Sequence, residues 1–145
     1  LYMRVAKDAG WNAWQCDSRD GGRTWGAPRR CPFPHTNSRF WVTRLRSGAL
    51  LLVKNGPLDE VIAGKDYTGR VDMTAFVSDD DGETWKGGLL LKKGSCSYPD
   101  GCQAPDGTIY VTFDDDRYGT QSLHLWKFTE EDVRKGRLVG SGAGL

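Results

Sequence analysis

The pattern Ser-x-Asp-x-Gly-x-Thr-Trp occurs twice, at Ser18, Asp20, Gly22, Thr24 and Trp25, and sixty positions on at Ser78, Asp80, Gly82, Thr84 and Trp85. These residue types do hydrogen-bond chemistry. An Asp inside a turn caps nearby backbone N–H groups, Gly tolerates positive φ, and Ser and Thr bond across the turn. The flanks, Trp14-Gln15-Cys16-Asp17 and Met73-Thr74-Ala75-Phe76-Val77, are extended in character. Each copy therefore predicts a β-hairpin tip with its Trp packed beneath, and the repeat predicts equivalent buried positions for Trp25 and Trp85.

Other residues with chemical potential are less organised. His35 and His124 have no partner at triad or zinc spacing and read as structural or surface residues. Cys16, Cys31, Cys96 and Cys102 lack C-x-x-C spacing, which argues against zinc and thioredoxin-like sites. A Cys96–Cys102 bridge and free buried thiols are the two readings left for them. The run Asp114-Asp115-Asp116-Arg117 has the composition of a calcium loop without its spacing. Consecutive carboxylates on an extended segment point in alternating directions, so neither a metal nor any other cofactor is expected.

The elements that must hold these residues are short and strand-like. Residues 1–6, 12–18 and 24–27 make a first partial blade, and Cys31-Pro32-Phe33-Pro34 is a stiff link to the next. Residues 39–45 and 49–54 flank a Ser47-Gly48 turn, and residues 55–69 form a long loop of the kind that carries function or disorder. Residues 70–78 and 84–91 enclose the second octet. Residues 97–103, 108–114 and 121–128 make a further blade with a Pro105-Asp106-Gly107 turn. Thr129 with Asp132 opens a short helix that Gly136 ends, and the Gly-rich stretch 139–145 is expected to be a mobile tail.

Composition narrows the function classes. Twenty Lys and Arg against nineteen Asp and Glu leave a net charge of +1, too little field to attract nucleic acid. No apolar run approaches the length of a membrane span. Six Trp and nineteen Gly suit a turn-rich all-β chain.

A strand-type unit repeated at this distance points to a β-propeller. The octet is the Asp-box, and the chain resembles the Asp-box (BNR) sialidase-like propeller superfamily. At roughly 40–60 residues per blade, 145 residues hold about three blades of a six-bladed, sialidase-type ring. The expected division is 1–30 for a partial blade with the first Asp-box, 31–93 for a blade with the second, 94–138 for the last blade and helix, and 139–145 for the tail. Asp-boxes are structural, so they speak for the fold more than for a reaction.

A second resemblance concerns the site. The segment Gly94-Ser95-Cys96-Ser97-Tyr98-Pro99-Asp100, followed by Pro105-Asp106-Gly107-Thr108 and a strand ending at Asp114, is similar to the region of the sialidase tyrosine nucleophile. The resemblance puts Tyr98 at that position, with Asp100 as a nearby acid whose competing role is turn capping. Arg70, twenty-eight residues earlier, resembles the last member of the arginine triad that holds the substrate carboxylate. Where the family has another triad Arg, this chain has Ala6, with Arg4 two residues away on the same strand face. Arg39, Arg44 and Arg46 read as solvated or blade-packing cations, with Arg39 beside Phe40-Trp41 placed to line a pocket.

The resemblance implies retaining hydrolysis of terminal α-linked sialic acid from glycoconjugates through a tyrosyl-glycosyl intermediate. It places the first triad Arg, the acid/base Asp and the Glu partner of the tyrosine in N-terminal blades upstream of Leu1, so this chain alone is expected to be inactive. Implied partners are a sialylated or related glycan and either those blades or a second copy joined through open blade edges. Family habit implies a secreted or periplasmic protein. The alternatives are a non-catalytic glycan- or protein-binding propeller module and another glycosidase on the same scaffold.

Overall fold

The computed structural model describes residues 1–4, 13–58 and 69–139. Ala6, most of the long loop and all of the tail but Val139 lie outside the described residues.

Nine strands and one short helix make up the described chain. Strands β1 (Tyr2–Arg4), β2 (Ala13–Gln15) and β3 (Arg29–Arg30) form an antiparallel sheet in that order. Strands β4 (Trp41–Arg44), β5 (Leu50–Asn55), β6 (Val71–Ser78), β7 (Lys86–Gln103), β8 (Ile109–Asp115) and β9 (Ser122–Phe128) follow in sequential antiparallel order. The result is an all-β, partial β-propeller whose second sheet is curled. No helix of the described residues is long and apolar enough to cross a membrane.

Strand β7 explains the curl. Its first part pairs with β6 from Lys86 to Ser95, and its second part pairs with β8 from Cys96 to Gln103. One continuous strand is thus the outer strand of one blade and the inner strand of the next. The expected break between residues 91 and 97 does not occur.

Alternation along the strands sorts the apolar side chains into two cores. Leu51 and Val53 of β5 with Met73, Ala75 and Val77 of β6 join Ile109, Val111, Phe113, Phe128 and Val133 in one cluster. Leu52 and Phe76, on the opposite faces of those strands, join Ala13, Cys31 and Phe33 in the other. The second cluster cements the first sheet to the second. Helix α1 (Glu130–Lys135) packs back on β6 and β7, with the expected Thr129–Asp132 capping box and a left-handed Gly136 at its end.

The two Asp-boxes are built alike. In the first, Ser18 Oγ donates to Asp20 Oδ1 at 2.8 Å, and Thr24 N–H and Oγ1 donate to the same carboxylate at 2.9 and 2.6 Å. In the second, the corresponding distances from Ser78 and Thr84 to Asp80 are 2.7, 2.8 and 2.5 Å. Gly22 and Gly82 sit at φ of 89° and 91°, which a side chain would strain. Both boxes sit at hairpin tips, the first linking β2 to β3 and the second β6 to β7.

Two expectations are corrected at these hairpins. Strand β3 lies at Arg29–Arg30, not at 24–27, because the cap bonds hold Thr24 inside the turn and pairing resumes only at Gln15↔Arg29. Trp25 and Trp85 are not equivalent in burial: Trp25 is 49% exposed, whereas Trp85 packs edge-on against Phe33. Internal hydrogen bonds fix the shape of the turn, but burial of its Trp requires a neighbouring element.

The Cys96–Cys102 bridge is also absent: all four cysteines are free, with Cys16, Cys31 and Cys96 buried and Cys102 exposed. Cys96 pairs with Asp115 and Cys102 with Tyr110 along the same strand. Six positions of extended chain span roughly 20 Å, far beyond disulfide reach.

Candidate functional site

Strand direction separates the Asp-boxes from the ends that carry the arginines. Strand β6 runs from Val71 to the second box at Ser78, so Arg70 lies at the opposite end, roughly 26 Å away along an extended strand. In the first sheet Tyr2 pairs with Gln15, near the box, and Arg4 pairs with Ala13, away from it. Both arginines therefore emerge on the same side relative to their boxes. Backbone pairing then brings Tyr98 to Arg70, because the Arg70 carbonyl accepts the Cys96 N–H at 2.9 Å, two residues short of the tyrosine.

Tyr98 occupies an irregular position. Register shifts between Ser97 and Asp100, placing Tyr98 and Pro99 in a β-bulge, and Tyr98 has φ of 55°. For an aromatic residue this left-handed conformation costs of order 1–3 kcal/mol, and bulges near functional sites re-aim side chains. Here the half-buried ring is turned into a cleft of 510 Å³ lined by Tyr2, Arg4, Arg39, Phe40, Trp41, Val42 and Tyr98.

Three guanidinium groups converge on that ring. Arg70 Cζ lies 5.1 Å from the ring centroid and Arg117 Cζ lies 4.2 Å from it. Arg4 lines the same cleft, and the nearby guanidinium groups of Arg4, Arg117 and Arg70 together pull the Tyr98 phenol below its ordinary pKa. Tyr2, in the same cleft, goes the other way: burial first, with nearby Cys31 and Asp17, pushes it up to about 12. Of the two phenols, Tyr98 is the one whose anion the surroundings favour.

The remaining polar groups are tied down. Asp100 accepts Arg39 Nη2 at 2.7 Å and its own neighbour Gly101 N–H at 3.0 Å, and because it lies in the β7 ladder opposite Thr112 it caps no turn. Arg70 Nη2 also donates to the Asn37 carbonyl at 2.9 Å, which fixes its reach. Asp114 takes both Nε and Nη2 of Arg117.

The structure thus gathers Tyr98, Arg70 and Arg4, and links Asp100 to the cleft through Arg39. Arg44 instead pairs with Asp81 of the second Asp-box at 2.7 Å. Arg117 is the residue that sequence reasoning overlooked. No local pattern marks it, because the Asp114–Arg117 pair reaches Tyr98 only through the pairing of Asp114 with Ser97.

Neither histidine belongs to the site. His35 is fully buried, with Nε2 3.2 Å from the Ser38 carbonyl and its ring edge-on to Phe40. His124 pairs with Asp115 at 2.9 Å and stacks on Phe113. Among the described residues no group of three or more His, Cys, Asp or Glu side chains is placed to hold a metal.

No curated protein matches the chain. Residues 1–111, which include both Asp-boxes, Arg4, Arg70 and Tyr98, match the BNR repeat-like domain, and the chain belongs to that family.

Proposed function

We propose that this chain carries the carboxylate-binding and nucleophile half of a sialidase-like, retaining glycosidase site. The single observation behind this reading is the convergence of Arg4, Arg70 and Arg117 on the hydroxyl-bearing ring of a strained Tyr98 in an open cleft. BNR repeat-like domains occur in sialidases and other glycosidases, which supports the substrate class.

The chemistry follows from the charges. A sugar with a carboxylate on its anomeric carbon repels an anionic Asp or Glu nucleophile, whereas a phenol approaches it neutral. Arg70 and Arg4 would pair with the carboxylate, and Tyr98 Oη would form a bond to the anomeric carbon as the bond to the leaving oxygen breaks. The Tyr98 proton goes to a base or water, and the leaving oxygen takes a proton from an acid. Water then attacks the glycosyl-tyrosine, releasing the sugar with retention and restoring the phenol.

The two carboxylates described at the site, Asp100 and Asp114, already accept from Arg39 and Arg117. The acid is therefore expected from outside the described residues. This same observation favours a second reading, in which the site binds acidic glycans without cleaving them. Self-association belongs to either reading: edge strand β9 leaves Leu123 75% and Leu125 46% exposed, and sedimentation at rising concentration tests it.

Titration of the chain with free sialic acid, followed by NMR, tests the proposal. Binding that exceeds that of a neutral hexose and weakens in R70A supports it. Equal binding of both sugars, or binding indifferent to Arg70, overturns it. A fluorogenic sialoside then separates the two readings, since turnover dependent on Tyr98 requires the enzyme.

A further inference from the structure

The acidic run ending at Arg117 enters the site through a short chain of contacts. Strand pairing sets Asp114 opposite Ser97, and Ser97 Oγ donates to Asp114 Oδ1 at 2.6 Å. Asp114 Oδ2 accepts Arg117 Nε at 2.8 Å and also its Nη2. The guanidinium so held lies 4.2 Å from the centre of the Tyr98 ring, closer than that of Arg70 at 5.1 Å. Ser97 and Tyr98 are adjacent, so the contacts close a loop that begins and ends on the same bulge.

Such bracing has a cost for an exposed arginine. A long, rotamer-rich side chain loses freedom when two of its nitrogens are committed to one carboxylate. A purely solvated Arg117 would have no reason to be directed at an aromatic face from an anchor beside that aromatic.

We propose that Arg117, braced by Asp114 and Ser97, is a positioning residue for Tyr98, holding its ring in the cleft and supplying positive charge where the phenolic oxygen must react. The proposal rests on the reading of Tyr98 as nucleophile. The other charged groups facing the ring are Arg4 from β1 and Arg70 ahead of β6, while Asp100 is paired with Arg39. With positive charge on each side, the phenolate is stabilised by Coulomb attraction and its proton leaves to solvent. The direction of the Tyr98 shift, to which the nearby Arg117 guanidinium contributes, agrees with this arrangement.

The test is an ultraviolet difference titration of tyrosinate, in which subtracting Tyr98→Phe isolates Tyr98 among the five tyrosines. R117Q should move the Tyr98 titration to higher pH, and R117K should retain part of the effect. D114N is the diagnostic variant, because deleting a negative charge alone would lower the titration, whereas loss of bracing raises it. S97A, a milder change, should move it in the same direction by less. Variants are compared at matched circular dichroism, so that only folded protein is titrated. A Tyr98 titration unmoved by R117Q, or lowered by D114N, overturns the proposal. No substrate is involved, so an error in the sugar assignment would leave this result intact and appear only in the sialic acid titration.

Discussion

The Phe33 ring meets the Trp85 indole edge-on, with centroids 5.8 Å apart at 87°. This contact ties the link between the two sheets to the second Asp-box and buries Phe33 completely. Phe33→Ala should therefore cost about 3–5 kcal/mol in urea denaturation. Trp25→Ala, at the half-exposed repeat position, should cost about 1 kcal/mol or less. Similar losses at both sites would mean that the first Asp-box is buried in solution.

The Asp-boxes predict an acid limb. Hydrogen bonds from the Thr84 hydroxyl and N–H and from Ser78 lower Asp80 to about 2, and the matching bonds lower Asp20 to about 2. Against an unfolded value of ~3.9, this stabilisation is present above that pH and is lost as pH falls through about 2. D80N and D20N should each flatten stability across that window, as read by thermal unfolding at stepped pH. An unchanged pH profile would show that the cap bonds do not persist in solution.

His35 acts in a different window. Burial, aided by nearby Lys54, lowers it to about 3, while the unfolded value is ~6.5. Above pH 6.5 the ring is neutral in both states and contributes no pH dependence. Below it the unfolded chain takes up a proton that the folded chain refuses until about pH 3, so stability falls as pH falls. His35→Gln should remove this slope between those limits, and NMR of the imidazole should show no titration near pH 6.

At the site, R70A should weaken sialic acid binding roughly tenfold or more, the scale of a lost charge-assisted hydrogen bond. The chain alone should show no appreciable sialoside turnover, since Asp100 and Asp114 are engaged by arginines. Robust turnover abolished by Tyr98→Phe would show that an acid is already within reach.

How much of this was legible in the sequence depended on range. The Asp-boxes were, because their Ser, Asp and Thr bond to each other within seven residues, and the α1 capping box was for the same reason. Arg70 and Tyr98 could be placed by a family resemblance spanning a whole hairpin. Arg117 could not, because its approach to Tyr98 is produced by the pairing of Ser97 with Asp114, which no local pattern announces. Trp25 misled for the complementary reason: the repeat specified its turn but carried no information on what lies against it.

Strand β7 has a mechanical consequence. Since one uninterrupted strand serves two blades, they have no linker at which to swivel, and any relative twist must be transmitted as torsion through its backbone. The ladder loosens where register slips between Ser97 and Asp100. Register also slips at three places along the pairing of β7 with β6. Tyr98 therefore stands at one of several compliant joints, and a ligand that bridges Arg4 and Arg70 would clamp that one from outside.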